Sequence, residues 1–172
     1  MEMSSNTCAK SFNSNSMTVI SVGQCIAQQD TAPKCAASGA VLSGLQTMDE
    51  TNYIYGIGQA VLNKDSTYNR FGYWVNGKRK SKCMPPAKRS ASCNGSNEFD
   101  YTDPLLSATG GYQFAPNEPS GIIAQSTTAN CLNLLFGRTV MFGLDDNGCG
   151  HANEETNICY KGYVCGIKPS SP

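Results

Sequence analysis

The sequence predicts a single disulfide-stapled domain that mixes two helices with several short strands around a long irregular region. Three observations lead there. First, nine cysteines stand at positions 8, 25, 35, 83, 93, 131, 149, 159 and 165. They are widely spread, and none form a Cys-x-x-Cys pair. Second, helical and strand periodicities both occur, but only in short pieces. Third, from Lys78 to about residue 130 no long periodicity survives, and Pro85, Pro86, Pro104, Pro116 and Pro119 punctuate the stretch. At 172 residues the chain fits one domain with a substantial core.

The elements follow in chain order. Met17 to Val22 is a short apolar run, expected as an edge strand inside a polar N-terminal extension, residues 1–24. Residues 30–38 suit a short helix. Pro33 lies near its start, Asp30 or Thr31 can cap it, and Gly39 can end it. Residues 40–42 read as a brief buried strand. Thr47 and Glu50 then form a capping box. Behind that box Tyr53, Ile54, Ile57, Ala60 and Val61 recur at spacings of three and four, giving one apolar helical face. Phe71, Tyr73 and Val75 alternate with Gly72, Trp74 and Asn76, a strand expected to stop at Gly77. Further strands are expected over 131–135, 139–144 and 162–167. A structureless stretch as long as 78–130 is uncommon in a compact domain unless it is functional. Here cysteines stand ready to cross-link it.

Composition narrows the function. Acidic and basic residues balance at 13 each, so no net field recruits nucleic acid or an anionic membrane. No segment approaches the roughly 20 apolar residues that a membrane span requires. With His151 as the single histidine, zinc-ligand spacing is absent. A disulfide framework in an oxidising compartment is therefore expected, in preference to a cytosolic protein with buried thiols. The sequon Asn94-Gly95-Ser96 agrees with secretion. The start, MEMSSNTC, carries no signal-peptide h-region, so for a secreted protein this sequence is expected to be a mature or recombinant form. No Walker loop, dinucleotide fingerprint or serine elbow is present. A Cys159–His151 nucleophile pair would need a free thiol, and no enzymatic activity is expected.

Six segments in register carry a resemblance: CAASGAVLSGLQTMDETNYI (35–54), YWVNGKRKSKC (73–83), FDYTDPL (99–105), FAPNEPSG (114–121), LDDNGC (144–149) and KGYVCG (161–166). Together they resemble a C-type lectin-like domain of the secreted nematode type, covering about residues 25–168 and leaving 169–172 as a tail. The resemblance implies an α+β fold with two helices, small antiparallel sheets and a long loop region. It also implies the pairs Cys35–Cys165, Cys131–Cys149 and Cys83–Cys93. Cys8–Cys25 is the expected N-terminal pair. That leaves Cys159 as the odd thiol, free or joining two chains in a disulfide-linked dimer.

In this family a calcium ion accepts two neighbouring sugar hydroxyls. By resemblance Glu118 matches the first ligand of the Glu-Pro-Asn turn, and Asp145 and Asp146 match an Asn-Asp pair, with Leu144 where Trp is usual. Ser120 stands in place of the turn's Asn or Asp. Ala129 and Asn130 occupy positions before Cys131 where an acid is expected. Glu118, Ser120, Asp145 and Asp146 are thus the expected calcium and carbohydrate ligands. Calcium requires six to eight oxygens, so this set predicts affinity at or below the weak end of extracellular modules, about 10⁻⁴–10⁻³ M. A Glu-first turn goes with mannose- or glucose-type hydroxyls.

The expected function is a secreted, calcium-dependent glycan-binding lectin used in host–microbe recognition and innate immunity. The alternative is a calcium-independent module that binds a protein or surface ligand. Trp74 is expected in the core, and Tyr101, Tyr112 and Phe114 chiefly as packing beneath the loop. The basic stretch Lys78, Arg79, Lys80, Lys82, Lys88 and Arg89 is expected to be a solvated loop face.

Overall fold

The structure is a computed structural model; it describes residues 6–12, 15–85, 90–121, 123–124, 127–154 and 157–167. Lys88, Arg89 and the tail 169–172 lie outside the described residues.

The chain begins with a hairpin, β1 (Asn6–Phe12) and β2 (Asn15–Ser21). Helix α1 (Thr31–Ala37) leads to β3 (Val41–Leu42) and then to α2 (Met48–Leu62). β4 (Arg70–Arg79) precedes the long loop, within which lie β5 (Phe99–Asp100), β6 (Ile123–Ala124) and β7 (Thr127–Thr128). The chain closes with β8 (Cys131–Gly137), β9 (Met141–Asn147), β10 (Asn153–Glu154) and β11 (Ile158–Ile167).

The main sheet runs β1-β2-β11-β4-β8-β9. β11 and β4 pair in parallel, and the other neighbours on that path are antiparallel. The segment expected as an edge strand therefore sits inside the sheet. Val19 faces Val164 of β11 and Cys8 of β1, so β1 is the edge.

Helix α2 shows how local chemistry and packing divide the work. Its start is the expected capping box: Thr47 Oγ1 accepts from the Glu50 N–H, and Glu50 Oε2 accepts from the Thr47 N–H at 3.0 Å. The Arg138 guanidinium donates to the carbonyls of Leu62, Asp65 and Tyr68 at 2.7–2.9 Å, satisfying the helix's C-terminal end. The fully buried stripe is Thr51, Ile54, Gly58 and Leu62, and the face read from the sequence flanks it, with Tyr53, Ile57 and Val61 packed against the core. Ile54 lies in both, but Ala60 is exposed and Tyr53, Ile57 and Val61 are half-buried. The reason is close approach. A Cβ on Gly58 would stand 2.1 Å from the Phe136 ring, so the helix seats its glycine on the sheet.

Two apolar clusters share the sheet. One gathers Ile54, Leu62, Phe71, Tyr73, Leu134, Phe136 and Leu144. The other gathers Trp74, Tyr160, Leu42, Leu135 and Tyr163 around Cys35–Cys165. Trp74 is fully buried, packs at a tilt against Tyr160 with centroids 4.3 Å apart, and donates its indole N–H to the Ile26 carbonyl at 2.7 Å. Tyr112 is buried and donates to the Asn76 carbonyl, while Tyr101 and Phe114 pack on Tyr112 and Phe99.

The structure holds Cys35–Cys165, Cys83–Cys93 and Cys131–Cys149. The N-terminal pairing differs from the expectation. Cys25 bridges Cys159, and Cys8 carries the free thiol. The Ile26 N–H donates to the Tyr160 carbonyl at 2.8 Å, which lays residue 25 beside β11. Cys8, out on the edge strand, faces Val19 instead. Cys159 is thereby unavailable both for an interchain bridge and as a nucleophile.

Gly77 does not end β4. Its φ is 142°, and a Cβ there would meet Leu132 at 2.6 Å, so the glycine allows a bulge against β8 through which the strand continues. Beyond it Lys78 is exposed and Arg79 turns inward. The expectation of a solvated basic face fails at Arg79, whose side chain is 1% exposed.

Candidate ligand site on the long loop

Glu118 is brought to β9 by backbone hydrogen bonds. The Leu144 N–H donates to Gln113 O, the Ala115 N–H donates to Leu144 O, and the Glu118 N–H closes a turn onto Ala115 O, all within 2.8–3.0 Å. Leu144 itself is fully buried and anchors this contact in the core. Asp145 and Asp146 follow on β9, opposite Asn133 and Leu132 of β8, with Cys131–Cys149 closing the floor. The Glu118–Pro119 peptide is cis.

The result is a cluster in which oxygens of Glu118, Asp145 and Asp146 all lie within 4.8 Å of one another. Three carboxylates expected as ligands are therefore together. Ser120 joins them: its N–H donates to Glu118 Oε2 at 2.7 Å and to Asp146 Oδ1 at 2.8 Å, and its side chain also hydrogen-bonds Glu118. The Gly121 N–H donates to Asp146 Oδ2 at 2.8 Å.

Crowding of like charge shows in the acidities. Burial, followed by the charges of Glu118, Asp146 and Glu154, pushes the Asp145 carboxyl up to about 8. Burial, followed by hydrogen bonding to Asp146, also raises Glu118. Both shifts favour the protonated forms of Asp145 and Glu118 relative to isolated carboxyls. Glu154, which no motif marked, accepts from Asn147 Nδ2 at 2.7 Å and from the Tyr160 hydroxyl at 2.9 Å.

Two further residues escaped the sequence reading. Arg79 donates from Nη2 to Asp146 Oδ2 at 2.5 Å, from Nη1 to Glu98 Oε2, and from Nε to the Ala129 carbonyl at 3.1 Å. Glu98 is 5% exposed, and among the described residues its Oε1 has no partner. Alternation carried past Gly77 would have marked Arg79 as inward-facing. No comparable signal marks Glu98.

These contacts test the fit of a calcium ion. Both Asp146 oxygens already accept, and the N–H groups of Ser120 and Gly121 point at that carboxylate where a metal would require oxygens. The Ala129 carbonyl is committed to Arg79, and its methyl side chain offers nothing. Glu118 and Asp145 are left as the half-buried carboxylates that Arg79 does not bind. Calcium requires six to eight oxygens, and the residues as arranged do not fit it.

Fold and loop together define a C-type lectin-like domain. A family model for C-type lectin domain-containing protein 141/158 matches residues 4–168, and the chain belongs to that family. No curated protein gives a significant match. Among solved structures, the Ca2+-independent C-type lectin SPL-2 from Saxidomus purpuratus is similar at 14% identity and a TM-score of 0.57, over 95% of this chain and 93% of that one. The SPL-1–GlcNAc complex is similar at 14% identity and 0.57, over 94% and 93%. A calcium-independent type II antifreeze protein follows at 14% and 0.55, over 93% and 91%. At such identities the likeness is one of fold. No helix is long and apolar enough to cross a membrane among the described residues.

Proposed function

We propose that the protein is a secreted glycan-binding lectin whose loop site takes sugar hydroxyls directly on Glu118 and Asp145, without calcium. The observation that carries this reading is the convergence of three carboxylates of which one, Asp146, is already neutralised by Arg79. Burial raises the pKa of both Glu118 and Asp145, the latter to about 8, which favours a protonated Asp145 carboxyl beside acceptor oxygens. The pair therefore offers both a donor and acceptors, as neighbouring hydroxyls of a hexose require. Four bridges suit an extracellular setting, and recognition of microbial glycans in innate defence, as in a secreted nematode lectin, is the role that follows. Solved lectins of this fold include a calcium-independent one and one bound to GlcNAc, which supports the reading by analogy of fold alone.

The calcium-dependent alternative has one observation on its side. The raised Asp145 acidity is strain that a divalent cation would relieve. A glycan array run in chelator and in calcium separates the two. Direct recognition predicts the same hexose-bearing glycans in both buffers, with binding lost in Asp145→Ala and Glu118→Gln. Binding seen only in calcium would establish the alternative. Absence of any glycan in either buffer would end the lectin reading in favour of a protein or surface ligand.

A further inference from the structure

We propose that Arg79 is the resident cation of the loop site, folding the Glu118–Gly121 turn onto β9 without metal and making the site indifferent to calcium. Three nitrogens of one guanidinium reach three separate parts of the chain: Glu98 ahead of β5, the Ala129 carbonyl ahead of β8, and Asp146 on β9. The planar fork suits this role, because it presents donors in several fixed directions at once. Its Cζ also lies 4.8 Å from the centre of the Phe99 ring, so the charge is sandwiched as well as hydrogen-bonded.

The position is built for the group. Gly121, with φ at 65°, passes directly over it, and a Cβ there would come within 3.4 Å of Arg79 Cζ. The turn thus closes over the guanidinium, and the Gly121 N–H binds the same Asp146 oxygen as Arg79 does. Glu98 supplies a second, independent observation. It is 5% exposed, and among the described residues Arg79 is its side chain's partner, so a second buried carboxylate also depends on this cation.

A calcium ion drawn to Asp146 would have to displace the guanidinium and the Ser120 and Gly121 amides together. Among the described residues no other cation is paired with Glu98, so moving the guanidinium away would leave that carboxylate uncompensated. The inference deepens the calcium-independent form of the proposed function. Its test uses the metal alone, so its failure leaves sugar recognition to be decided separately.

The experiment compares melting temperature and limited proteolysis of the 113–121 loop in chelator and in about 10 mM calcium, some tenfold above the affinity of weak extracellular modules. It is applied to the full chain, Arg79→Gln and Arg79→Lys. The wild type is expected to melt within about 1 °C in the two buffers, with its loop resistant in both. Arg79→Gln exposes the loop in chelator, and calcium restores roughly 3–5 °C as the vacated carboxylates gain a cation. Arg79→Lys keeps a charge and stays indifferent to calcium. A wild type stabilised by calcium overturns the proposal even if Arg79→Gln fails to fold. So does an Arg79→Gln variant that folds with a resistant loop and no calcium response.

Discussion

The two halves of β4 bury their side chains by opposite means. Around Trp74 the strand is enclosed by aromatic and aliphatic neighbours, with Cys35–Cys165 and Cys25–Cys159 crossing beside it. Around Arg79, past the Gly77 bulge, it is enclosed by charge: Glu98 and Asp146 with one guanidinium between them. Dispersion and burial are additive over many small contacts. A buried ion cluster is not, because removing one member leaves the others uncompensated. The apolar half should therefore tolerate conservative change, and the charged half should fail at single residues.

The largest predicted effect tests that contrast. Arg79→Met, nearly matched in volume, is expected to cost about 3–5 kcal/mol in urea unfolding, since two buried carboxylates lose their cation. The volume-conserving swap Leu134→Met in the apolar cluster should cost less than about 1.5 kcal/mol. Equal costs would erase the distinction between the two regions. Next in size is the loss of core anchorage under the site. Leu144→Ala is expected to cost about 2–5 kcal/mol and to weaken glycan binding, because the backbone bonds that carry Glu118 run through that residue. Unchanged binding with reduced stability would show that the loop is held elsewhere.

A smaller effect is readable in pH. Asp145 has a folded acidity raised to about 8, against an unfolded value near 4. Between those limits the folded state holds more protons, so stability falls as pH rises from about 4 to 8. Melting in chelator should therefore decline over that window, and Asp145→Asn should flatten the decline. A slope preserved in Asp145→Asn would place the responsible group elsewhere. The smallest effect concerns the free thiol. Cys8→Ser should leave stability within about 0.5 kcal/mol, and non-reducing peptide mapping should recover Cys25 joined to Cys159. Recovery of Cys8 in a bridge would contradict the observed framework.

How far these features were legible in the sequence follows from how local their causes are. The capping box of α2 lies within four residues and read correctly. The three carboxylates were found because a family pattern spans them. The helix face was read correctly at Tyr53, Ile54, Ile57 and Val61, which lie in or against the core, but its centre was missed, since Gly58 contributes by lacking a side chain and letting Phe136 approach. Cys25–Cys159 joins residues 134 apart, and only the path of Ile26 along β11 selects it. Arg79 was lost because Gly77 reads as a strand terminator, whereas here it is a bulge that passes the alternation on. The charge that completes the site was thus counted among solvated lysines.

The most direct test is amide hydrogen exchange of Ser120 and Gly121, the two N–H groups that bind Asp146. If Arg79 rather than metal holds this turn, both amides are protected in chelator and their rates do not change when calcium is added. Fast exchange in chelator that slows on adding calcium would contradict the account.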